Sequence, residues 1–190
     1  MGKVVTREHT LRYQLVGLIP HLRRFARSLT KDSDKADDLV QEACERALKK
    51  LHRSGEELHL KNLLYCIIYN RWIDNLRRRK TRSAKLIVLS EQHQERASDH
   101  HAGSRLDLVL DLQTALDKLD NEHRAAIMLI GVEGYSYSEA AVVLEVPPGT
   151  VASRVARARA KLGKLLYKRR HESFRTKGMK KLRKENESEI

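Results

Sequence analysis

The chain has 190 residues and a formal net charge of +13, from 38 Lys and Arg against 25 Asp and Glu. This length allows one or two small domains, and the positive charge favours a polyanionic partner such as DNA or RNA. The sequence has no apolar run of about 18 residues and begins without the apolar segment of a signal peptide, so we expect no membrane insertion and a cytoplasmic location.

The cysteines and histidines are not grouped as in a metal or redox site. Cys44 and Cys66 lie inside apolar helical patterns without a CxxC pair, which predicts buried small side chains. The nine histidines are scattered, apart from the adjacent His100 and His101, and are interpreted as solvated. We therefore expect no metal and no cofactor, and an enzyme is the class that the sequence supports least, since no nucleophile–base pair or phosphate-binding loop occurs.

The first helical block covers residues 8–82, where apolar residues recur at helical spacing. Pro20 predicts a break that divides the opening stretch into two helices. A later apolar pattern begins at Leu60. A further helix is predicted between the opening stretch and this pattern, and its N-cap candidates are Asp32, Ser33 and Asp34.

The rest of the chain divides into three segments. Residues 83–106 are polar and indicate a flexible linker, while 107–167 form a second helical block that contains the capping-box pattern Ser136–Glu139. The tail, 168–190, is basic and poor in apolar residues, and is predicted to be disordered. The predicted fold class is all-α, with two small helical domains joined by a flexible linker.

Residues 136–165 have the pattern of a helix-turn-helix, with a short capped helix, a break at Val146–Gly149 and a second amphipathic helix. Val151, Val155, Ala158, Leu162 and Leu165 share the face predicted to pack inward. The opposite face presents small and basic side chains, namely Ser153, Ala156, Arg157, Ala160 and Lys164. No acidic residue occurs from Thr150 to Arg170, which favours DNA binding over the alternative of an exposed basic helix in a bundle.

A second candidate nucleic-acid segment ends the first block. Tyr69 and Trp72 lie among basic residues that include Arg77–Lys80. Aromatic rings next to arginines suit single-stranded nucleic acid, whose bases can stack on them. The alternative is that Trp72 belongs to the core and that the basic cluster is a solvated helix end.

The order of the motifs resembles a known family. Asp37-Asp38-Leu39-Val40-Gln41-Glu42, the run Leu64–Arg71 and the run Ile73–Arg79 resemble the sigma-2 domain of the sigma-70 family. Leu119-Asp120 with Arg124, Glu133–Ala141 and Pro148–Arg159 resemble its sigma-4 domain. Over residues 10–167 the chain resembles the extracytoplasmic-function (ECF) group, which implies a sigma factor that binds core RNA polymerase and directs promoter-specific initiation.

The resemblance implies a role for each matching position. Asp37, Asp38 and Gln41 would dock on the β′ clamp helices of the polymerase, and the apolar flank of sigma-4 would touch the β flap. The minus-ten element would be recognised by Tyr69, Asn70, Arg71, Asp74, Arg77 and Arg78. The minus-thirty-five element would be read by Thr150, Ala152, Ser153, Arg154, Ala156 and Arg157.

Some features depart from the family pattern or extend it. Many relatives carry Trp-Leu-Tyr where Leu63-Leu64-Tyr65 stands, and bulkier residues at Ala152 and Ala156, so the minus-thirty-five contacts are expected to be fewer. The resemblance also implies an anti-sigma factor, a stress or envelope regulon and association with the nucleoid. A stand-alone helix-turn-helix regulator is the main alternative, and an RNA-binding protein is a weaker one.

Overall fold

The computed structural model describes residues 2–54, 59–85 and 105–187, with side chains described at 11–51, 59–79, 81 and 109–168. The described residues form seven α-helices and no strand, which confirms the all-α prediction. The helices are α1 (Gly2–Thr30), α2 (Ser33–Ser54), α3 (Leu60–Lys85), α4 (Arg105–Asp117), α5 (Asn121–Gly131), α6 (Tyr137–Leu144) and α7 (Pro148–Glu187).

Helices α1, α2 and α3 pack against one another as an N-terminal bundle. Their apolar residues recur three and four positions apart, so each helix presents one apolar face to the other two. The large side chains that this packing buries completely are Leu22, Phe25, Leu64, Tyr65 and Ile68. Burial of each such apolar side chain contributes about 1.5–3 kcal/mol, which makes packing the main stabilising term of the bundle.

Helix α1 continues through Pro20, so the predicted division of this segment into two helices is wrong. Proline removes one backbone donor but keeps a helical φ. The flanking residues Leu15 and Leu22 are both buried in the same core. Packing on both sides of the proline therefore holds the helix together across the missing hydrogen bond.

The junction between α1 and α2 is set by local hydrogen bonds. Lys31 adopts a left-handed conformation, with φ of 58°, just after α1 ends. Of the three predicted N-cap candidates, Asp32 performs the capping, since its Oδ1 accepts from the backbone N–H groups of Asp34 and Lys35 at 3.1 Å each. This satisfies two amide donors that have no acceptor within α2.

A partly buried ion pair joins α2 to α3. Arg71 Nη2 lies 2.6 Å from Glu42 Oε1, and Arg46 Nη2 lies 2.9 Å from the same oxygen. Burial alone would raise the pKa of the Glu42 carboxyl, but the two guanidinium groups outweigh it and leave the pKa below its usual value. Glu42 therefore stays ionised and stabilises the contact between the two helices.

Helices α4 to α7 form a C-terminal bundle in which α4, α5 and α6 all pack on α7. Helix α6 begins with the predicted capping box, since Ser136 Oγ accepts from the Glu139 N–H and the Glu139 side chain accepts from the Ser136 N–H. Arg124 is buried and donates to the carbonyl of Leu119 at 2.6 Å. The capping box defines the start of α6, and the Arg124 bond joins α5 to the segment that precedes it.

Helix α7 extends through Glu187, so it includes most of the tail, 168–190, for which the sequence predicts disorder. After Pro148 the helix meets no further proline, and most of its residues are good helix formers such as Ala, Leu, Lys and Arg. Its 40 residues correspond to a rod of about 60 Å.

Most of the predicted linker, 86–104, lies outside the described residues, as does the short apolar run 86–89. Helices α3 and α4 include its first and last residues, 83–85 and 105–106. The two bundles touch directly, with α5 on α1 and α6 on α3. Their buried apolar side chains form one connected core, so the bundles are not two separate hydrophobic units in this arrangement.

Two further expectations concern single residue types. Cys44 and Cys66, predicted to be buried, are half-buried and form no disulfide, and burial raises the pKa of both thiols.

Within the described ranges, no three His, Cys, Asp or Glu side chains are grouped as metal ligands. None of the helices described above is both long and apolar enough to cross a lipid bilayer.

We expect Ser136→Ala to lower the free energy of unfolding by about 1 kcal/mol, because the substitution removes the oxygen that caps α6. Chemical denaturation in urea measures the change. Ser138→Ala is the matched control, since Ser138 is exposed within α6. Equal stability of the two variants would contradict the assigned capping role.

We expect Glu42→Gln to destabilise the chain by about 1 kcal/mol at pH 7, because the pair with Arg71 is lost. The pKa of Glu42 is lowered in the fold, so its contribution is present above the ordinary value of 4.5 and disappears as the pH falls through the lowered value. Urea unfolding at pH 7 and near pH 3 tests this. Glu45→Gln, on the exposed surface of α2, serves as the control, and a pH-independent loss in Glu42→Gln would rule out the electrostatic cause.

Candidate nucleic-acid interface

The helix-turn-helix consists of α6, a tight turn and the first turns of α7. Glu145 is left-handed, with φ of 54°, and the N–H of Val146 donates to the Ala141 carbonyl at 3.1 Å. Pro148 then begins α7, where its missing N–H would have had no acceptor within the helix. On the predicted inner face of α7, the residues Val151, Val155 and Ala158 are buried, and Leu162 and Leu165 are half-buried.

The opposite face of α7 is exposed and carries small side chains beside basic ones. The exposed residues there are Ala152, Ser153, Ala156, Arg157, Ala160 and Lys164. Thr150 is half-buried, and its carbonyl accepts from Ser153 Oγ at 2.9 Å. Small side chains allow the helix backbone to approach base edges, which leaves Arg157 as the longest donor among the predicted minus-thirty-five residues on this face.

Arg154, also predicted to read the minus-thirty-five element, occupies a different position. Its Nη2 lies 2.6 Å from Glu122 Oε2, and its side chain is only 14% exposed. Arg154 also interacts with the Tyr69 hydroxyl of α3, whose pKa is raised by burial although the guanidinium opposes the rise. Arg154 is therefore part of the contact between the bundles in this arrangement.

The aromatic residues of α3 are buried. Tyr69 and Trp72 are 6% and 4% exposed, and their ring centroids lie 5.8 Å apart. For Trp72 the structure agrees with the alternative that it belongs to the core. Neither ring offers a free stacking surface while the two bundles are in contact.

The polar residues predicted for the minus-ten element fall into two groups. Asn70 and Arg71 are half-buried, and Asn70 Nδ2 donates to Glu145 Oε1 of the C-terminal bundle at 2.6 Å. Asp74 is also half-buried, whereas Arg77 and Arg78 are exposed. Only the end of α3 thus presents predicted minus-ten side chains to solvent.

The three residues predicted to dock on the polymerase lie near the start of α2. Asp38 and Gln41 are exposed, and Gln41 Nε2 donates to Glu45 Oε1 at 3.2 Å. Asp37 is half-buried, with its Oδ1 3.0 Å from Arg23 Nε of α1. Asp38 and Gln41 are therefore directly available to a partner, while Asp37 also supports the contact between α1 and α2.

Sequence reasoning missed the polar cluster between the bundles. The carboxylate of Glu133, from the segment between α5 and α6, is 0% exposed. It accepts from the Tyr65 hydroxyl at 2.7 Å and from Arg24 Nε at 3.0 Å, and His21 Nδ1 lies 3.0 Å away. We call Glu133, His21, Arg24 and Tyr65 the Glu133 cluster. No pattern around His21, interpreted as a solvated histidine, indicates this contact.

Comparison with known proteins identifies the family. The model of Sigma-70 region 2 matches residues 17–82, and that of Sigma-70 region 4 matches residues 110–162. The chain is 35% identical over 159 residues to the ECF RNA polymerase sigma factor EcfG of Rhodopseudomonas palustris, covering 83% of this chain and 86% of that protein. It is 33% identical over 145 residues to the ECF sigma factor SigM of Mycobacterium tuberculosis, covering 76% and 71%.

Solved structures agree with these matches. The sigma factor RpoE of Bartonella quintana, crystallised with the anti-sigma factor NepR, superposes with a TM-score of 0.66 at 34% identity, over 83% of this chain and 97% of that one. CnrH, solved with the cytosolic domain of CnrY, gives a TM-score of 0.57 at 25% identity, over 84% and 88%. The chain belongs to the extracytoplasmic-function group of the sigma-70 family of RNA polymerase sigma factors.

Proposed function

We propose that the chain binds core RNA polymerase and directs it to promoters through two DNA-reading domains. The sigma-2 domain is assigned to residues 8–82, the linker to 83–106 and the sigma-4 domain to 107–167. The observation that carries this proposal is the region 2 match, followed by the region 4 match over a helix-turn-helix whose α7 face is exposed and basic. The remaining residues, 168–190, supply basic side chains for nonspecific phosphate contacts.

The exposed face of α7 enters the major groove of the minus-thirty-five element. Ser153, Ala156 and Arg157 lie nearest to the base edges, with Ala152 beside them. A guanidinium can bond a guanine edge or a phosphate, so Arg157 provides the main directional contact. Because the neighbouring side chains are small, we expect few contacts with the bases of this element.

The end of α3 binds the minus-ten element. Arg77 and Arg78 hold the DNA backbone, because both are exposed and always charged. Tyr69, Asn70, Arg71 and Asp74 take part after the C-terminal bundle moves away from α3. Initiation therefore involves an arrangement of the two bundles different from the one described above.

Two protein partners complete the proposal. The β′ clamp helices of core polymerase bind the exposed start of α2, and the β flap binds the apolar flank of the sigma-4 domain. An anti-sigma factor restrains the chain, as the solved complexes of RpoE with NepR and CnrH with CnrY suggest by their composition. The chain would then act in the cytoplasm, associated with the nucleoid, as a non-enzymatic controller of a stress or envelope regulon.

In vitro transcription tests the proposal against a stand-alone helix-turn-helix regulator. Purified chain and core polymerase are combined on a library of genomic promoters, and the transcripts are sequenced. A sigma factor converts core polymerase into an enzyme that starts at a defined set of sites. A regulator would fail to bind core polymerase and would leave its start sites unchanged.

We expect Arg157→Ala to weaken binding of the full chain with core polymerase to promoter DNA by about 1–3 kcal/mol, or roughly 5- to 150-fold. Competition binding on promoters with and without a minus-thirty-five element measures the effect. Lys118→Ala is the matched control, since it removes one exposed positive charge at the end of the α4 segment. An unchanged affinity for Arg157→Ala would mean that a different face of α7 meets DNA.

We expect Asp38→Lys to weaken core polymerase binding at least about ten-fold, because it reverses the charge on an exposed docking residue. Its unfolding midpoint in urea should match that of the wild type. Asp37→Lys should also lower stability, since Asp37 is paired with Arg23. Native polymerase affinity in a folded Asp38→Lys chain would refute the docking assignment.

A further inference from the structure

The Glu133 cluster joins residues that are far apart in the sequence. His21 lies 112 positions before Glu133 in the sequence, and Tyr65 lies 68 positions before Glu133. Glu133 comes from the C-terminal bundle, whereas His21, Arg24 and Tyr65 all belong to the N-terminal bundle. The carboxylate therefore has its polar partners across the boundary between the bundles.

Burial of this carboxylate is favourable only while its partners are present. An ionised carboxylate without hydrogen bonds is costly in an apolar surrounding, whereas here Tyr65 and Arg24 donate to its two oxygens. Burial and the neighbouring carboxylate raise the pKa of the Tyr65 hydroxyl, which keeps it a neutral donor. When the bundles separate, water can solvate both Glu133 and Arg24, so the contact is reversible.

Other contacts surround the cluster. Lys61 Nζ donates to the Glu133 carbonyl at 3.2 Å and lies 4.4 Å from the centroid of the Tyr135 ring. Arg124 Nη1 donates to the Ser28 carbonyl at 2.9 Å. These bonds also cross between the bundles, and together with the shared apolar core they orient the C-terminal bundle on α1 and α3.

This arrangement cannot read both promoter elements at once. Elements centred near minus ten and minus thirty-five lie about 25 base pairs apart, or about 85 Å along the duplex. The direct contacts of α5 with α1 and of α6 with α3 instead hold the two bundles together around one connected core. In addition, the interface holds Tyr69, Asn70 and Arg154, which are predicted DNA-reading residues.

We infer that Glu133 acts as a positioning residue, which stabilises a closed free chain by inserting its carboxylate between His21, Arg24 and Tyr65. Loss of this contact frees the start of the minus-ten surface and lets the bundles separate toward the two promoter elements. The inference goes beyond the proposed function and depends on it only for the consequence for transcription. The effect on domain separation can be measured without polymerase.

Single-molecule energy transfer between dyes on the full chain tests the inference. The dyes are attached at Lys49→Cys and Lys118→Cys, both exposed positions, in a Cys44→Ala, Cys66→Ala background. Glu133→Gln should increase the fraction of separated molecules about ten-fold, because the charged partner of Arg24 is lost. Without dyes, the Glu133→Gln chain should bind core polymerase with an apparent affinity that is higher by a similar factor.

Matched variants distinguish the loss of the Glu133 contacts from a general loss of stability. Arg24→Gln removes the same ion pair from the other bundle and should give a similar increase in separation. Glu145→Gln alters the Asn70 contact across the same boundary, but Glu145 is exposed, so its effect should stay below about two-fold. Circular dichroism establishes that each variant keeps its helices.

The outcomes are distinguishable. An unchanged separated fraction in both folded variants, Glu133→Gln and Arg24→Gln, would overturn the inference. If Glu133→Gln unfolds the C-terminal bundle, the result for Arg24→Gln decides instead. Failure of the wild-type chain to support transcription would contradict the proposed function. The energy-transfer experiment would still test whether Glu133 holds the two bundles together.

Discussion

A buried carboxylate lies at the centre of the polar contacts between the two halves of this chain. Glu133 has no exposed side-chain surface, and the donors and cation around it belong to the other bundle. Burial of a carboxylate is costly unless hydrogen bonds satisfy it, so the position of the C-terminal bundle depends on the partners that the N-terminal bundle supplies to Glu133. The same boundary covers Tyr69, Asn70 and Arg154, which are predicted DNA-reading residues.

The interface also explains why two arginines of α7, three residues apart, differ in exposure. Arg157 is exposed, whereas Arg154 is turned toward Glu122 and Tyr69. Their spacing of three residues would place them near each other on a helix surface, but tertiary packing gives them different partners. A basic side chain of α7 can therefore belong to the contact between the bundles and not to the exposed face of the helix.

Much of the fold could be predicted from local patterns. Helical spacing identified the all-α class, and the Ser136–Glu139 pair marked the start of α6, because both depend on residues close together in the chain. The break at Pro20 was predicted wrongly because packing on both sides offsets one lost hydrogen bond. The contact of His21 with Glu133 had no local signal, since it exists only after distant helices meet.

The burial of aromatic side chains at the boundary bears on the lifetime of the chain. Tyr65, Tyr69 and Tyr135 are each at most 6% exposed while the bundles are in contact. Separation without a partner would offer these rings to proteases, chaperones and other unpaired chains. Contact between the bundles therefore also keeps this apolar surface away from other proteins.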